Sequence, residues 1–120
     1  MKYLSIWKTS EDKLSKPPSV EMQAQMGKLI ERSFKAGTLV STGGISNNKK
    51  SARVRRSGNK VTVTDGPFTE SKELVAGFAI LEATSLEHAI ELSKDFIEVA
   101  GDGATEVYEL FGDPIEAPRP

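Results

Sequence analysis

The chain has 120 residues, of which 38% are hydrophobic and 28% charged, and its net charge is −1. These values are ordinary for one globular domain. The sequence contains no cysteine, which excludes a disulfide framework and a thiol nucleophile. No apolar run reaches the roughly 18 residues of a membrane span, and the apolar stretch near the N-terminus is too short for a signal peptide. We therefore expect a single cytoplasmic domain over residues 1–120 that has no membrane partner and ends in a proline-rich tail, residues 112–120.

The charged residues are distributed unevenly. Residues 32–64 carry eight basic and no acidic side chains, whereas residues 82–120 carry ten acidic and two basic ones. A basic segment can attract nucleic acid or an anionic ligand. Because the sequence pI is about 5.9, far below that of typical nucleic-acid-binding domains, we expect no nucleic-acid partner.

The first third of the chain predicts a strand followed by a helix. Residues 2–8, KYLSIWK, alternate with period two, which is typical of a strand. The polar, proline-containing stretch TSEDKLSKPPS predicts a loop. Ser19 is a suitable N-cap, and Gly37 is suited to end the helix after Ala36. The predicted core-facing side of this helix consists of Met22, Met26, Leu29, Ile30 and Phe34.

The rest of the chain predicts five strands and a second helix. Ser57-Gly58-Asn59 is a hairpin signal between two of these strands. The apolar run LVAGFAIL is typical of a central strand buried on both faces. Thr84 and Glu87 have capping-box spacing at the start of a helix over residues 84–100. The predicted strands cover residues 38–42, 51–56, 60–64, 74–81 and 105–111.

This order of elements predicts an α+β domain of ferredoxin-like type. Two helices cover one face of an antiparallel sheet, and an extra β-hairpin is inserted. The other face of the sheet is left open, with Tyr3, Trp7 and Phe78 as the side chains expected there. An open apolar face usually indicates a partner, most often a second copy of the chain, so we expect a homodimer.

The stretch VTDGPFTESKE contains the strongest candidate for a functional residue. Asp65 cannot make the usual turn hydrogen bond to the backbone two residues on, because Pro67 has no N–H, although the N–H of Phe68 remains within reach. Gly66 is expected to adopt a backbone conformation closed to other residues. Two interpretations stay open for Asp65: a structural turn, or an acid that faces a ligand from a rigidly held loop.

Charged neighbours extend this candidate site. Arg53 lies on one face of its strand, opposite Val54, and the hairpin brings it near Asp65, where its guanidinium can bind an anion. Glu70 and Lys72 belong either to a solvated loop or to a charged rim around the same pocket.

Metal and cofactor sites are not predicted. His88 is the single histidine, and without cysteine it cannot complete the usual sets of zinc ligands. We expect His88 at the surface or at the edge of the core.

DGPFTESKE followed by a Gly-Phe strand resembles the signature of the YCII-related family, in its DGPF-containing branch. The similarity covers nearly the whole chain, including PPS, MGKLIE, ARVR and AGFAILEATSLEHAIEL. It implies a ferredoxin-like domain that dimerises sheet to sheet, as in the dimeric α/β barrels. Members of the wider family are thought to use a His–Asp pair as acid and base.

Two positions depart from the pattern that this resemblance implies. The place of the family's histidine on the first helix is held here by Met26, whose thioether cannot transfer a proton. The branch commonly carries Glu-x-Arg in the last strand, where this chain has Glu106-Val107-Tyr108. Asp65 is thus left without its usual partner.

The sequence therefore predicts a homodimer with a small-molecule pocket near the DGPF loop and no assignable activity. One alternative is an acid/base enzyme, lyase-like or hydrolytic, that uses Asp65 as its catalytic residue. A second alternative is a regulatory or nucleic-acid-associated module. The predicted ligand-binding residues are Arg53, Asp65, Gly66, Pro67, Phe68, Glu70, Lys72 and Tyr108.

Overall fold

The computed structural model describes residues 1–46, 50–66, 68 and 73–118 and shows a mixed α+β structure. In chain order the elements are β1 (Lys2–Ser10), α1 (Glu11–Leu14), α2 (Val20–Ala36), β2 (Leu39–Gly44), β3 (Ala52–Ser57), β4 (Lys60–Asp65), β5 (Glu73–Glu82), α3 (Leu86–Ala100) and β6 (Ala104–Glu109).

Four strands form an antiparallel sheet in the order β2-β5-β1-β6, and β3 pairs with β4 in a separate hairpin. Within the described ranges, no helix has both the length and the apolar composition needed to span a membrane.

Helix α2 begins and ends where the sequence predicts. The Ser19 hydroxyl accepts a hydrogen bond from the Met22 backbone N–H at 3.1 Å, which satisfies one of the unpaired donors of the first turn. At the other end Gly37 has a φ of 77°, a left-handed conformation that glycine adopts at little cost.

Helix α3 is capped by Ser85, and the predicted capping box of Thr84 and Glu87 is wrong. The Ser85 hydroxyl accepts a hydrogen bond from the His88 N–H at 3.1 Å. The Thr84 backbone N–H donates to Nδ1 of His88 at 3.0 Å, so the histidine takes the place that the glutamate was expected to fill.

A short helix, α1, lies within the loop predicted after the first strand, and residues 15–19 form the rest of that loop. Its N-cap is Ser10, whose hydroxyl accepts from the Lys13 N–H at 3.2 Å. Two acidic residues, Glu11 and Asp12, occupy its first turn, where negative charge interacts favourably with the helix dipole.

The side chains of β1 face the opposite way from the prediction for Tyr3 and Trp7. Tyr3 is only 1% exposed and belongs to the core cluster under α3, and the ring of Trp7 packs edge-on against Phe96 of α3 at 5.3 Å between centroids. Alternation along the strand then places Leu4 and Ile6 on the open face. The prediction for Phe78 agrees with this register, because Phe78 is the cross-strand partner of Ile6.

The β3–β4 hairpin extends away from this packed sheet. Its three valines are largely exposed, at 69%, 60% and 66% for Val54, Val61 and Val63. The radius of gyration is 16.2 Å, against about 14 Å for a compact chain of this length. The hairpin thus adds length to the molecule without adding to its core.

Candidate functional site

A cavity of about 660 Å³ lies between α2, α3 and the helix-facing side of the sheet. Protein interiors contain few voids larger than a water molecule, whereas small-molecule pockets typically measure about 300–1,000 Å³. The cavity therefore has the size of a ligand pocket. Its larger apolar lining residues include Trp7, Met22, Met26, Leu29, Ile30, Leu92 and Phe96.

The apolar side of α2 lines this cavity instead of closing a core. The helix has no buried residue, and Met22 and Met26 are only half-buried. The prediction that these two methionines are core side chains is wrong in this respect. Helical spacing identified the apolar side correctly, but it carries no information about what that side packs against.

Two hydroxyls of the lining already have hydrogen-bond partners in the protein. Thr42 donates to the Phe78 carbonyl and Ser93 to the Ala89 carbonyl, both at 2.9 Å. The lining of the cavity as a whole is mainly apolar.

A cation lies at the edge of the cavity. The Lys13 ammonium donates to the Ala100 carbonyl at the end of α3 and lies 5.8 Å from the centroid of the Trp7 ring. The position of that ring depends on a glycine: a Cβ on Gly103, whose φ is 152°, would lie 2.4 Å from the Lys8 carbonyl oxygen and 2.4 Å from the Trp7 ring.

Asp65 and Arg53 occupy opposite faces of the hairpin. Arg53 is paired across the ladder with Thr64, and Asp65 with Ala52. Because paired residues share a face and neighbours alternate, Arg53 lies on the face of Thr64 and Asp65 lies on the face of the valines. One hairpin does not bring these two side chains together, and Asp65 is exposed.

Gly66 is needed for a different reason from the predicted one. Its φ is not in the left-handed range. Its N–H donates to the Ser51 carbonyl at 2.8 Å, and a Cβ on Gly66 would lie 1.8 Å from the Ser51 hydroxyl oxygen. The close approach of two backbones, not an unusual conformation, accounts for this glycine.

Two of the predicted site residues, Arg53 and Phe68, contact each other. The Arg53 guanidinium lies over the Phe68 ring at 4.2 Å, a cation–π contact. Pro67, Glu70 and Lys72 lie outside the described residues. Of the predicted residues that the structure describes, none lines the cavity.

Tyr108 lies on the open face of the sheet, on the opposite side from the cavity, where its partner in β1 is Leu4. Its hydroxyl donates to Oε1 of Glu106 at 3.2 Å, and the Lys8 ammonium lies 3.0 Å from the same oxygen. The hydrogen bond from Lys8 lowers the pKa of Glu106 below its usual value, against a smaller opposing effect of desolvation. This polar group lies beside Leu4 and Ile6 on the open face.

The chain belongs to the YCII-related domain family, whose family model matches residues 1–112. A curated relative, an uncharacterized protein of Rhizobium meliloti (strain 1021), is 26% identical over 91 residues, which cover 76% of this chain and 68% of that protein. The family predicted from the DGPFTESKE signature and its surroundings is thus confirmed.

Proposed function

We propose that this protein is a cytoplasmic homodimer of the DGPF-containing branch that binds a small molecule with an apolar body in the cavity between the helices and the sheet. The observation that carries this proposal is the cavity itself, which has the volume of a ligand pocket. An apolar ligand would cover the half-exposed side of α2, and burial of apolar surface contributes about 25 cal/mol per Å².

The position of Met26 connects the cavity with the family. The resemblance places a catalytic histidine at this position, and here the residue lines the cavity. A thioether is a soft apolar group that adapts to irregular ligands, and it cannot transfer a proton. This substitution supports binding without histidine-dependent acid–base chemistry.

The proposed pocket does not include Asp65. Its lining reaches Gly44, the last residue of β2, and Ala76 of β5, whose carbonyl accepts a hydrogen bond from the Ile45 N–H at 2.9 Å. Asp65 is exposed and makes no side-chain hydrogen bond or ion pair within the described part of the chain. We therefore assign no acid/base step to it.

The proposed homodimer rests on the open face of the sheet. The order β2-β5-β1-β6 with a helix on each crossover matches a ferredoxin-like βαββαβ unit with an inserted hairpin. Both helices lie on the cavity side, which leaves Leu4, Ile6, Phe78 and Ile80 on the other. A second copy that packs sheet to sheet would bury these side chains, as in a dimeric α/β barrel.

Light scattering coupled to gel filtration tests the assembly. We expect a species of twice the 13.0 kDa chain mass at micromolar concentration. A species of one chain mass under these conditions would contradict the proposed dimer without affecting the proposed pocket.

A neutral solvatochromic dye, Nile red, tests the pocket. We expect saturable binding with enhanced fluorescence, and Met26→Glu should weaken it at least about tenfold, because a carboxylate in an apolar site loses its hydration. Ala24→Glu places the same charge on the exposed side of the same helix and is the matched control. Equal effects of the two substitutions would show that the dye binds elsewhere.

A further inference from the structure

Lys13 is a cationic residue in the lining of the cavity whose ammonium group can bind a further acceptor. It lines the cavity, and it belongs to α1, the four-residue helix that the sequence did not reveal. Its ammonium group is held between the Ala100 carbonyl and the Trp7 ring. An ammonium has three N–H donors, so the single bond to Ala100 leaves two of them for another acceptor.

The charges around the cavity do not neutralise Lys13. The other titratable residues of the lining are Lys16 and Asp95. Lys16 is paired at 3.3 Å with Asp12 in an exposed ion pair, and Asp95 is exposed on α3. Among the described residues, Lys13 has no carboxylate within ion-pair distance. The cavity therefore has an apolar interior and one cation at its edge without a counterion in the described chain.

From this arrangement we infer that the ligand is an amphipathic monoanion, a carboxylic acid with an apolar chain or ring. Its carboxylate accepts hydrogen bonds from the Lys13 ammonium, and its apolar body lies along Met22, Met26 and Phe96. This inference rests on the proposed function, to which it adds the class of ligand. Charge-assisted hydrogen bonds are stronger than neutral ones, and the low-polarity surroundings strengthen them further.

Capping of α3 is the competing explanation for Lys13. A cation near a helix C-terminus is favourable by itself, and this role would need no ligand. The two explanations differ in a measurable way: capping changes stability, whereas ligand recognition changes the preference between an anion and a neutral molecule of the same shape.

The experiment compares three ten-carbon probes: decanoate, decanol and decylammonium. Trp7 is the single tryptophan and lines the cavity, so its fluorescence reports occupancy directly. At neutral pH and about 150 mM salt, we expect decanoate to bind at least about tenfold more tightly than decanol and decylammonium to bind most weakly. Lys13→Met should remove the preference for decanoate, and Lys94→Met, at an exposed lysine of α3 outside the lining, is the matched control and should keep it.

The outcomes separate this inference from the proposed function. Equal affinities of decanoate and decanol for the unmodified protein would overturn the anionic ligand and leave the pocket intact. Preference for decanoate that persists in Lys13→Met would overturn the role of Lys13. Failure of all three probes to change Trp7 fluorescence at millimolar concentration would overturn both proposals. If Lys13→Met does not fold, the ranking of the three probes on the unmodified protein still decides the class of ligand.

Discussion

The four-stranded sheet and the β3–β4 hairpin both contain many β-branched residues, but only the sheet has a face that helices cover. In the sheet, α3 packs on Tyr3 and Leu81, which are buried. In the hairpin, no residue is buried, and the cross-strand pair of Val54 and Val63 faces solvent in the single chain. An isolated two-stranded hairpin is at best marginally stable.

This difference shows that the stability of the chain is concentrated in one part of it. The sheet and its helices hold the buried side chains, whereas Val54, Val61 and Val63 of the hairpin are exposed among the described residues. Substitutions of similar chemistry should therefore have very different effects in the two regions. The following predictions test this contrast, from the largest expected effect to the smallest.

The largest effect is expected for Tyr3→Ala. Removal of a fully buried ring should lower the free energy of unfolding by about 3–5 kcal/mol, through lost burial and the cavity left behind. Urea denaturation measures it. Tyr3→Phe keeps the ring and should cost about 1 kcal/mol or less. If Tyr3→Ala costs no more than Tyr3→Phe, the sheet is not the stable part of the chain.

The next largest losses of stability are expected for glycine substitutions, and they should differ between the packed sheet and the hairpin. Gly103→Ala places a Cβ 2.4 Å from the Lys8 carbonyl oxygen, a backbone atom that cannot move alone, and we expect a loss of about 3 kcal/mol. In Gly66→Ala the closest atom is the Ser51 hydroxyl oxygen, so we expect about 1–2 kcal/mol.

A double-mutant cycle checks this explanation for the hairpin glycine. Ser51→Gly removes the obstructing side chain. The loss in free energy of unfolding of the double variant, Ser51→Gly with Gly66→Ala, should therefore be smaller than the sum of the two single losses by at least about 0.5 kcal/mol. Additive effects would mean that contact with Ser51 does not explain Gly66.

We expect the stability of the chain to depend on pH through a charged pair in the sheet, Lys2 and Glu82. Lys2 lies 2.7 Å from Oε1 of Glu82, and hydrogen bonds from Lys2 and from the terminal ammonium lower the pKa of Glu82 from 4.5 to about 2. Because this pKa is lower in the folded state, the stabilisation is complete above about pH 4.5 and is lost as the pH falls toward about 2.

Glu82→Gln should therefore reduce stability at neutral pH, and its difference from the unmodified protein should shrink between about pH 4.5 and 2. Chemical denaturation across this range measures the change, and Glu116→Gln in the exposed tail controls for net charge. A difference that is constant with pH would show that these ion pairs do not persist in solution.

The smallest effect on the single chain is expected for Val63→Thr. This substitution keeps the branched shape of an exposed strand residue and should change stability by less than about 0.5 kcal/mol at low protein concentration. At concentrations where the proposed dimer forms, the loss should become larger if the strip of exposed valines, Val54, Val61 and Val63, is buried between chains. Thr62→Val, on the opposite face of β4, is the control, and equal effects at both concentrations would exclude the strip from the interface.

The fold was largely predictable because its elements carry local signals. Ser19 and Gly37 delimit α2, and the hairpin turn is marked by Gly58. The direction in which β1 faces was not predictable, because Tyr3 and Leu4 are both apolar and alternation alone does not say which of them meets the helices. Helix α1 was missed since four residues are too few to show a helical period.

The cavity could not be predicted, for a different physical reason. The spacing of Met22 and Met26 indicates an apolar side of α2, but whether that side meets other side chains or open space depends on how far the helix stands from the sheet. The position of Lys13 at the edge of the cavity depends on a contact with Ala100, 87 positions away in sequence. No local sequence pattern indicates such a contact. Asp65, by contrast, was predicted as a site residue because its motif is easy to recognise in the sequence.

The hairpin also bears on how the chain reaches its fold. Strands β2 and β5 are neighbours in the sheet, but residues 45–72 separate them, and the entropy lost on closing a flexible loop grows with its length. The β3–β4 unit needs only the tight turn at Gly58, and such hairpins form within about 1–10 μs. The hydrogen bond from Gly66 to Ser51 joins the two ends of this unit and so shortens the loop that must still be closed. A hairpin that contributes no core thus lowers the entropic barrier to pairing the edge strand β2 with β5.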